Sequence, residues 1–442
     1  MRSIPLALVL VALVGAASSS PSAATETRPA QPTKALPVLG ISYGTPRGTL
    51  AWFEPTTLRM LPGRKATLAG HFGSWAFSRD RRFLALGSCE GPGARTPGIR
   101  FVDARRMRVQ GDLPLSRYRR GCASAVTWLR PERLLAVVST GTASASEVVL
   151  VDTRTRRVLR RSPLPASPSA AVGRTDDELV LLFSSFGEFA PARLAVIDSE
   201  GAVRIRPVER ILAGTVVDGT SAEYRAATIQ PGLAVDPDRK RAFVVPASGA
   251  VAEVDLVTLD VSYHELDRPS LLGRLLRWLT PAAQAKVMEG PVREARWLGD
   301  DMLAVSGMDF SVEPAASGAG RLHQAPAGVR LIDTRSWESR LLEPEASGFA
   351  VGDGLVVAQG GYWDAGEERG YGPGLRAFGL DGRERWSLHD GEYRWMDAAG
   401  SVGYVHNDGG IADVVDLGTG NVLARVARDP FPQLLAGQSS SW

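Results

Sequence analysis

Short apolar runs, each closed by turn residues, repeat along most of this chain. The stretch Ala125–Arg161 shows the unit plainly: AVTWLRPERLLAVVSTGTASASEVVLVDTRTRRVLRR. Ala125–Leu129 is mostly apolar and ends at Arg130-Pro131-Glu132, a turn. Leu134–Ser139 is rich in β-formers and stops in small residues. Glu147–Val151 follows, and Asp152-Thr153-Arg154-Thr155 turns it back into Arg157–Arg160. Each run is too short for a helix, so the unit predicts four antiparallel strands.

The unit is about forty residues long, a period that with four strands per repeat marks a β-propeller blade. Strands are labelled A to D from the channel outwards. The C–D hairpins are Leu50–Leu61, Ile99–Val109, Val148–Leu159, Leu194–Ile205, Val251–Tyr263, Val329–Leu342, Leu375–Leu388 and Ile411–Val426. Asp and Gly recur at their turns, because Asp bonds its own backbone and Gly tolerates positive φ. The A–B hairpins are Ser74–Gly87, Ala125–Ser139, Ala170–Phe183, Leu233–Val245, Ala295–Gly307, Phe349–Gly360 and Tyr393–His406. The pattern predicts an all-β propeller of eight blades, seven being the alternative. Val38–Tyr43 supplies only one strand before the first C–D hairpin. The run Pro432–Leu435 is the candidate for the missing strand, closing the ring without an open sheet edge.

Loop length is uneven. The A–B and C–D turns are tight, whereas the B–C connections Ser88–Gly98, Thr140–Ser146, Ser184–Ala192, Met308–Ala327 and Gly361–Gly374 are long. In a four-stranded meander the B–C and D–A connections share one face, so that face is the expected ligand site. Gly361–Gly374, GYWDAGEERGYGPG, is the most loaded loop. Tyr362, Trp363 and Tyr371 offer flat apolar rings, and Asp364, Glu367 and Glu368 offer charge. Such a set suits a sugar, a peptide or a cation. His406 and Asp408, in His406-Asn407-Asp408, extend the candidate ligand set. The core account of the same aromatics, packing on their own blade, stands beside it. Trp128, Trp297 and Phe77, at matching blade positions, read as packing between blades.

Other segments depart from the repeat. Ser270–Lys286, SLLGRLLRWLTPAAQAK, spaces its leucines as a short helix, capped by Ser270 and interrupted by Pro281. Its apolar face would pack on its own blade or carry a partner, the scaffold reading. Arg2 followed by Ile4–Val14 and small residues reads as a secretion signal within residues 1–24, cleaved after Ala16 or Ala24, an uncleaved anchor being the alternative. Residues 25–36 read as a flexible lead-in, residues 37–436 as the propeller and 437–442 as a disordered tail. Nothing after residue 24 is long and apolar enough to span a membrane. The expected setting is extracytoplasmic, and the expected protein a monomer. The net charge is +3, from 51 Lys and Arg against 48 Asp and Glu. The arginines are scattered, which argues against nucleic acid. Cys89 and Cys122 are the only cysteines; in an exported chain a pair favours a disulfide, and the blade pattern brings both to one face.

The hairpin VVDLGTGNVLARV (Val414–Val426), together with VVLVDTRTRRVL, resembles the strand–turn–strand of YVTN-type propellers, relatives of WD40 and quinoprotein-like repeats. The resemblance spans most of residues 38–436 and implies the propeller fold. It implies little about activity, since binding proteins, lactonases and dehydrogenases share it. No Gly-His…Trp-Asp pair recurs, and only Asp416-Leu417-Gly418-Thr419-Gly420 approaches the tryptophan-docking motif of quinoprotein enzymes.

No cofactor is expected from a motif. A divalent cation such as calcium, held at the channel mouth by Asp408, Asp364 and Asp309, is the metal reading the residue types admit. His71, His389 and His406 could join it on the same face, the five histidines forming no HxH or HExxH motif. No nucleophile elbow or phosphate loop is present. The leading expectation is a secreted module binding an unknown protein, peptide or glycan; a metal-dependent hydrolase is the rival.

Overall fold

The computed structural model describes residues 37–44, 47–70, 72–89, 97–115, 121–139, 146–166, 168–173, 177–218, 225–266, 290–314, 320–364, 369–406, 411–427 and 433–435. Every regular element among them is a β-strand, and these form eight four-stranded antiparallel blades of a propeller. Seven of the eight C–D pairings and all seven A–B pairings fall where the apolar runs place them; the first C–D hairpin differs.

The third blade is typical. Cys122–Arg130, Arg133–Ser139, Ser146–Asp152 and Arg157–Leu164 pair in chain order. Its first three strands are largely buried, while the edge strand is mostly exposed, with burial alternating only in part. The inner strands are sandwiched between neighbouring blades, hence their continuous apolar runs; the fourth is a rim. The tryptophans knit these seams. Trp128 donates its indole N–H to the Ala76 carbonyl of the preceding blade at 3.0 Å. Trp297 stacks on Phe243 at 5.6 Å, and Trp386 donates to the Leu417 carbonyl at 2.7 Å. Packing between blades is thus the role of Trp128 and Trp297.

The C–D turns share one chemistry. Asp103, Asp152, Asp255, Asp333 and Asp416 each accept a backbone N–H two or three residues on. The positive φ they prepare falls four residues after the acid. It is taken by Met107, Arg156, Leu259 and Trp337, and by glycine only at Gly420. The side-chain cap, rather than glycine, therefore carries most of these turns.

Ring closure is as the runs predict. Gln433–Leu434 is the innermost strand of the first blade, with Leu434 opposite Gly40 and Gln433 opposite Ile41. The first C–D hairpin is longer than Leu50–Leu61. Met60 makes one bridge to Phe53, and the edge strand proper is Ala66–Ala69, because Pro62-Gly63 interrupts the run. Cys89 and Cys122 are disulfide-bonded, tying the second strand of one blade to the first strand of the next. No helix of the described residues is long and apolar enough to cross a membrane. The predicted signal, lead-in, tail and the helical segment 270–286 lie outside the described residues.

Candidate ligand-binding face

Three long excursions are strand-paired among the described residues. The second strand of the sixth blade runs on as Met302–Pro314 and returns as Gly320–Pro326. The fourth strand of the fourth blade, Val203–Asp218, continues past Ile205 and pairs with Arg225–Ile229. In the seventh blade Tyr362–Asp364 pairs with Arg369–Tyr371. Backbone pairing within each excursion satisfies polar groups a loose loop would leave to water, so these ribbons are preformed.

Strand alternation sorts the aromatics of the last hairpin. Tyr362 stands opposite Tyr371, and their rings stack at 5.1 Å with a 16° tilt. Arg369 lies over Tyr371 at 5.0 Å. Trp363, next in line, turns to the other face and meets Tyr393 edge-on at 6.5 Å. Tyr393 meets Trp395 edge-on at 6.2 Å and accepts its indole N–H. Glycines make the room. A Cβ on Gly370, opposite Trp363, would lie 2.6 Å from Tyr393, and one on Gly348 would lie 2.6 Å from the Trp395 ring. The ladder Trp363–Tyr393–Trp395 remains open to solvent, with Trp363 42% and Trp395 39% exposed. The Trp363 amide also faces Gln324 of the sixth-blade ribbon at 3.5 Å.

Of the residues expected to bind ligand, Tyr362, Trp363 and Tyr371 share this hairpin. Asp364 stands opposite Arg369 and His406 opposite Trp395 in the strand register. Glu367 and Asp408 lie outside the described residues. The sequence reading did not single out Tyr393 and Trp395. Their signal was present as Tyr393-Arg394-Trp395, aromatics two apart entering a strand from the long-loop face.

Asp309, His389 and His264 have other partners. Asp309 pairs with Arg293 at 2.7 Å. His389 Nε2 lies 3.1 Å from Asp413, which also accepts from Arg425 Nε at 2.7 Å. His264 stacks on Trp337 at 3.8 Å beside Glu253. Among the described residues no three of His, Cys, Asp and Glu form a metal-holding group. Of the proposed trio, Asp309 is an ion-pair partner of Arg293, Asp364 stands in the seventh-blade hairpin opposite Arg369, and Asp408 lies outside the described residues, as does His71.

No protein-family model matches the chain, and no curated protein matches it. Solved structures do resemble it. Dihydro-heme d1 dehydrogenase NirN in complex with DHE aligns with a TM-score of 0.51 at 10% identity, covering 94% of this chain and 78% of that one. BamB from Moraxella catarrhalis gives 0.37 at 11% identity, covering 88% and 87%. The computationally designed Ika8 protein gives 0.44 at 11% identity, covering 83% and 91%. The likeness to NirN is one of fold.

Proposed function

We propose that this chain is a binding module that takes a glycan or peptide on its long-loop face. One observation carries the reading: Trp363, Tyr393 and Trp395 form a solvent-open aromatic ladder anchored on glycine backbone. Exposed indoles held rigid by their surroundings cost little ordering entropy on binding, and aromatic faces receive sugar C–H edges and prolyl or cationic side chains. Gln324, beside the Trp363 amide, supplies a polar group at the rim that orients a ligand. The Cys89–Cys122 bridge supports an extracytoplasmic setting.

Glycan and peptide arrays probed with the whole protein test the reading, Trp363→Ala and Trp395→Ala being the controls. A hit weakened about tenfold or more by each variant is expected, the scale of losing one stacking anchor. Hits equally bound by both variants, or no hit on either array, sink the proposal.

A further inference from the structure

One position on strand C recurs in every turn of the propeller, three residues before the acid or glycine that opens the C–D turn. Where a charged residue occupies it, a partner stands by. Arg100 pairs with Asp112 at 2.6 Å, Arg376 with Glu343 at 3.2 Å, and Asp413 with Arg425 at 2.7 Å. Arg330 in the sixth blade is the exception. It is half-buried, yet no described residue gives it an ion pair or hydrogen bond. A guanidinium drawn partly out of water normally finds a carboxylate.

Arg330 stands opposite Val305, so it projects from the side of the sheet that Val305 and Ile332 turn toward the fifth blade. There a cavity of about 240 Å³ opens between the two blades, walled by Arg330, Arg293, Val245, Leu266, Val305 and Ile332. The other charges on its wall are already used. Arg293 pairs with Asp309 at 2.7 Å and donates to the Val292 and Met308 carbonyls. Glu265 is held by Arg210 at 3.0 Å. What remains is one uncompensated positive fork beside an apolar wall.

We infer that this cavity binds a small organic carboxylate. The carboxylate engages the Arg330 guanidinium, whose planar fork matches its two oxygens. The apolar body lies against Val305, Ile332 and Leu266. A water occupies about 30 Å³, so the space matches about eight waters or one short organic acid. Inorganic phosphate would supply charge and leave the apolar wall unmatched. The site is separate from the aromatic ladder and does not depend on it.

Calorimetry and thermal shift on the whole protein test this with butyrate, benzoate, butyramide and inorganic phosphate. Butyrate or benzoate is expected to bind and raise the melting temperature, and butyramide to do neither. Arg330→Gln is expected to weaken carboxylate binding about tenfold or more, the scale of a charge-assisted pair. Because no described residue partners Arg330, the same change is expected to leave the ligand-free melting temperature level or higher, unlike Arg376→Gln. Should Arg330→Gln fail to fold, Ala247→Phe on the exposed rim blocks entry with Arg330 intact and is expected to abolish binding. Equal binding of butyrate and butyramide overturns the inference, as does phosphate binding alone, no carboxylate binding, or undiminished binding by the variants.

Discussion

The hydroxyl of Tyr404 donates to the carbonyl oxygen of Pro55 at 2.9 Å, joining the eighth blade to the first. Tyr404 is fully buried there among Val38, Leu58, Val402, Val414 and Leu434. Gln433–Leu434 closes the same seam through the backbone, so one seam carries both locks of the ring. Tyr404→Phe keeps the ring and leaves the Pro55 carbonyl unpaired, at a cost of about 1–2 kcal/mol. Burial, helped by the nearby charge of Glu54, pushes the Tyr404 ionisation well above the usual tyrosine range. The folded protein keeps a proton that the unfolded chain loses near pH 10, so stability falls as the pH rises past about 10. Denaturant titrations of wild type and Tyr404→Phe at neutral and alkaline pH should show that this slope is lost in the variant.

Acid acts on the same end of the chain through Asp413. Hydrogen bonds from Arg425 hold its carboxyl below the usual range, aided by the charges of Arg425 and His389 and opposed by burial. A lowered folded value means stability that is present above the ordinary carboxylate range and lost as the pH falls through the folded value, below about pH 4. Asp413→Asn should flatten that part of the acid limb. Most of the Arg425 side chain is exposed, so the effect at neutral pH should be small. Chemical unfolding followed from neutral to acid pH decides it; an unchanged acid limb counts against the assignment.

The Cys89–Cys122 bridge closes a loop spanning 33 residues. In the chain-entropy account a loop of that size contributes about 3–4 kcal/mol. Unfolding of the double Cys→Ser variant, or of wild type under reducing conditions, should show a loss of that order. The second and third blades should loosen first under limited proteolysis.

Asp301 sits almost wholly buried at the turn between the first two strands of the sixth blade, with Arg239, Arg241 and Arg335 on its carboxylate. Arg241 is the most buried of the three and lies over the rings of Phe243 and Trp297. Arg241 also holds Asp236 at 2.9 Å and Glu253 at 2.8 Å, so Asp301→Ala removes one of its three carboxylates and should cost about 1–2 kcal/mol. The residue is also left-handed, at φ 62°. Asp301→Asn keeps tolerance of that conformation and removes only the charge, so it should lie between alanine and wild type in a denaturant series.

Gly370 faces Trp363 across the seventh-blade hairpin, and a Cβ there would lie 2.6 Å from Tyr393. Gly370→Ala should therefore displace Tyr393 from the ladder while the distant blades hold. The expected signature is a changed tryptophan emission and weakened ligand binding with a global melting temperature within a few degrees of wild type, as for about 1 kcal/mol or less. An unchanged emission spectrum would show that the ladder accommodates the methyl.

The propeller was legible in the sequence because blade strands are local objects. Apolar runs such as Leu134–Ser139 need only a neighbour on each face, and turn acids such as Asp152 and Asp416 cap their own backbone. Both signals lie within a few residues. The same locality made the closing run before Ala436 visible, since a lone first hairpin demands a partner strand.

What tertiary structure decided is which residues from different blades meet. Trp363 and Tyr393 belong to different blades, and Tyr393-Arg394-Trp395 reads in the sequence as the ordinary start of a strand. Arg330 looks like Arg100 and Arg376 in its repeat, and only the fold shows that it alone lacks a carboxylate among the described residues. Asp309 was readable as a cation ligand until the fold placed Arg293 beside it. Strand identity is set by hydrogen bonds and burial along the chain, whereas site chemistry is set by distances across seams. No pattern in one blade records the side chains of the next.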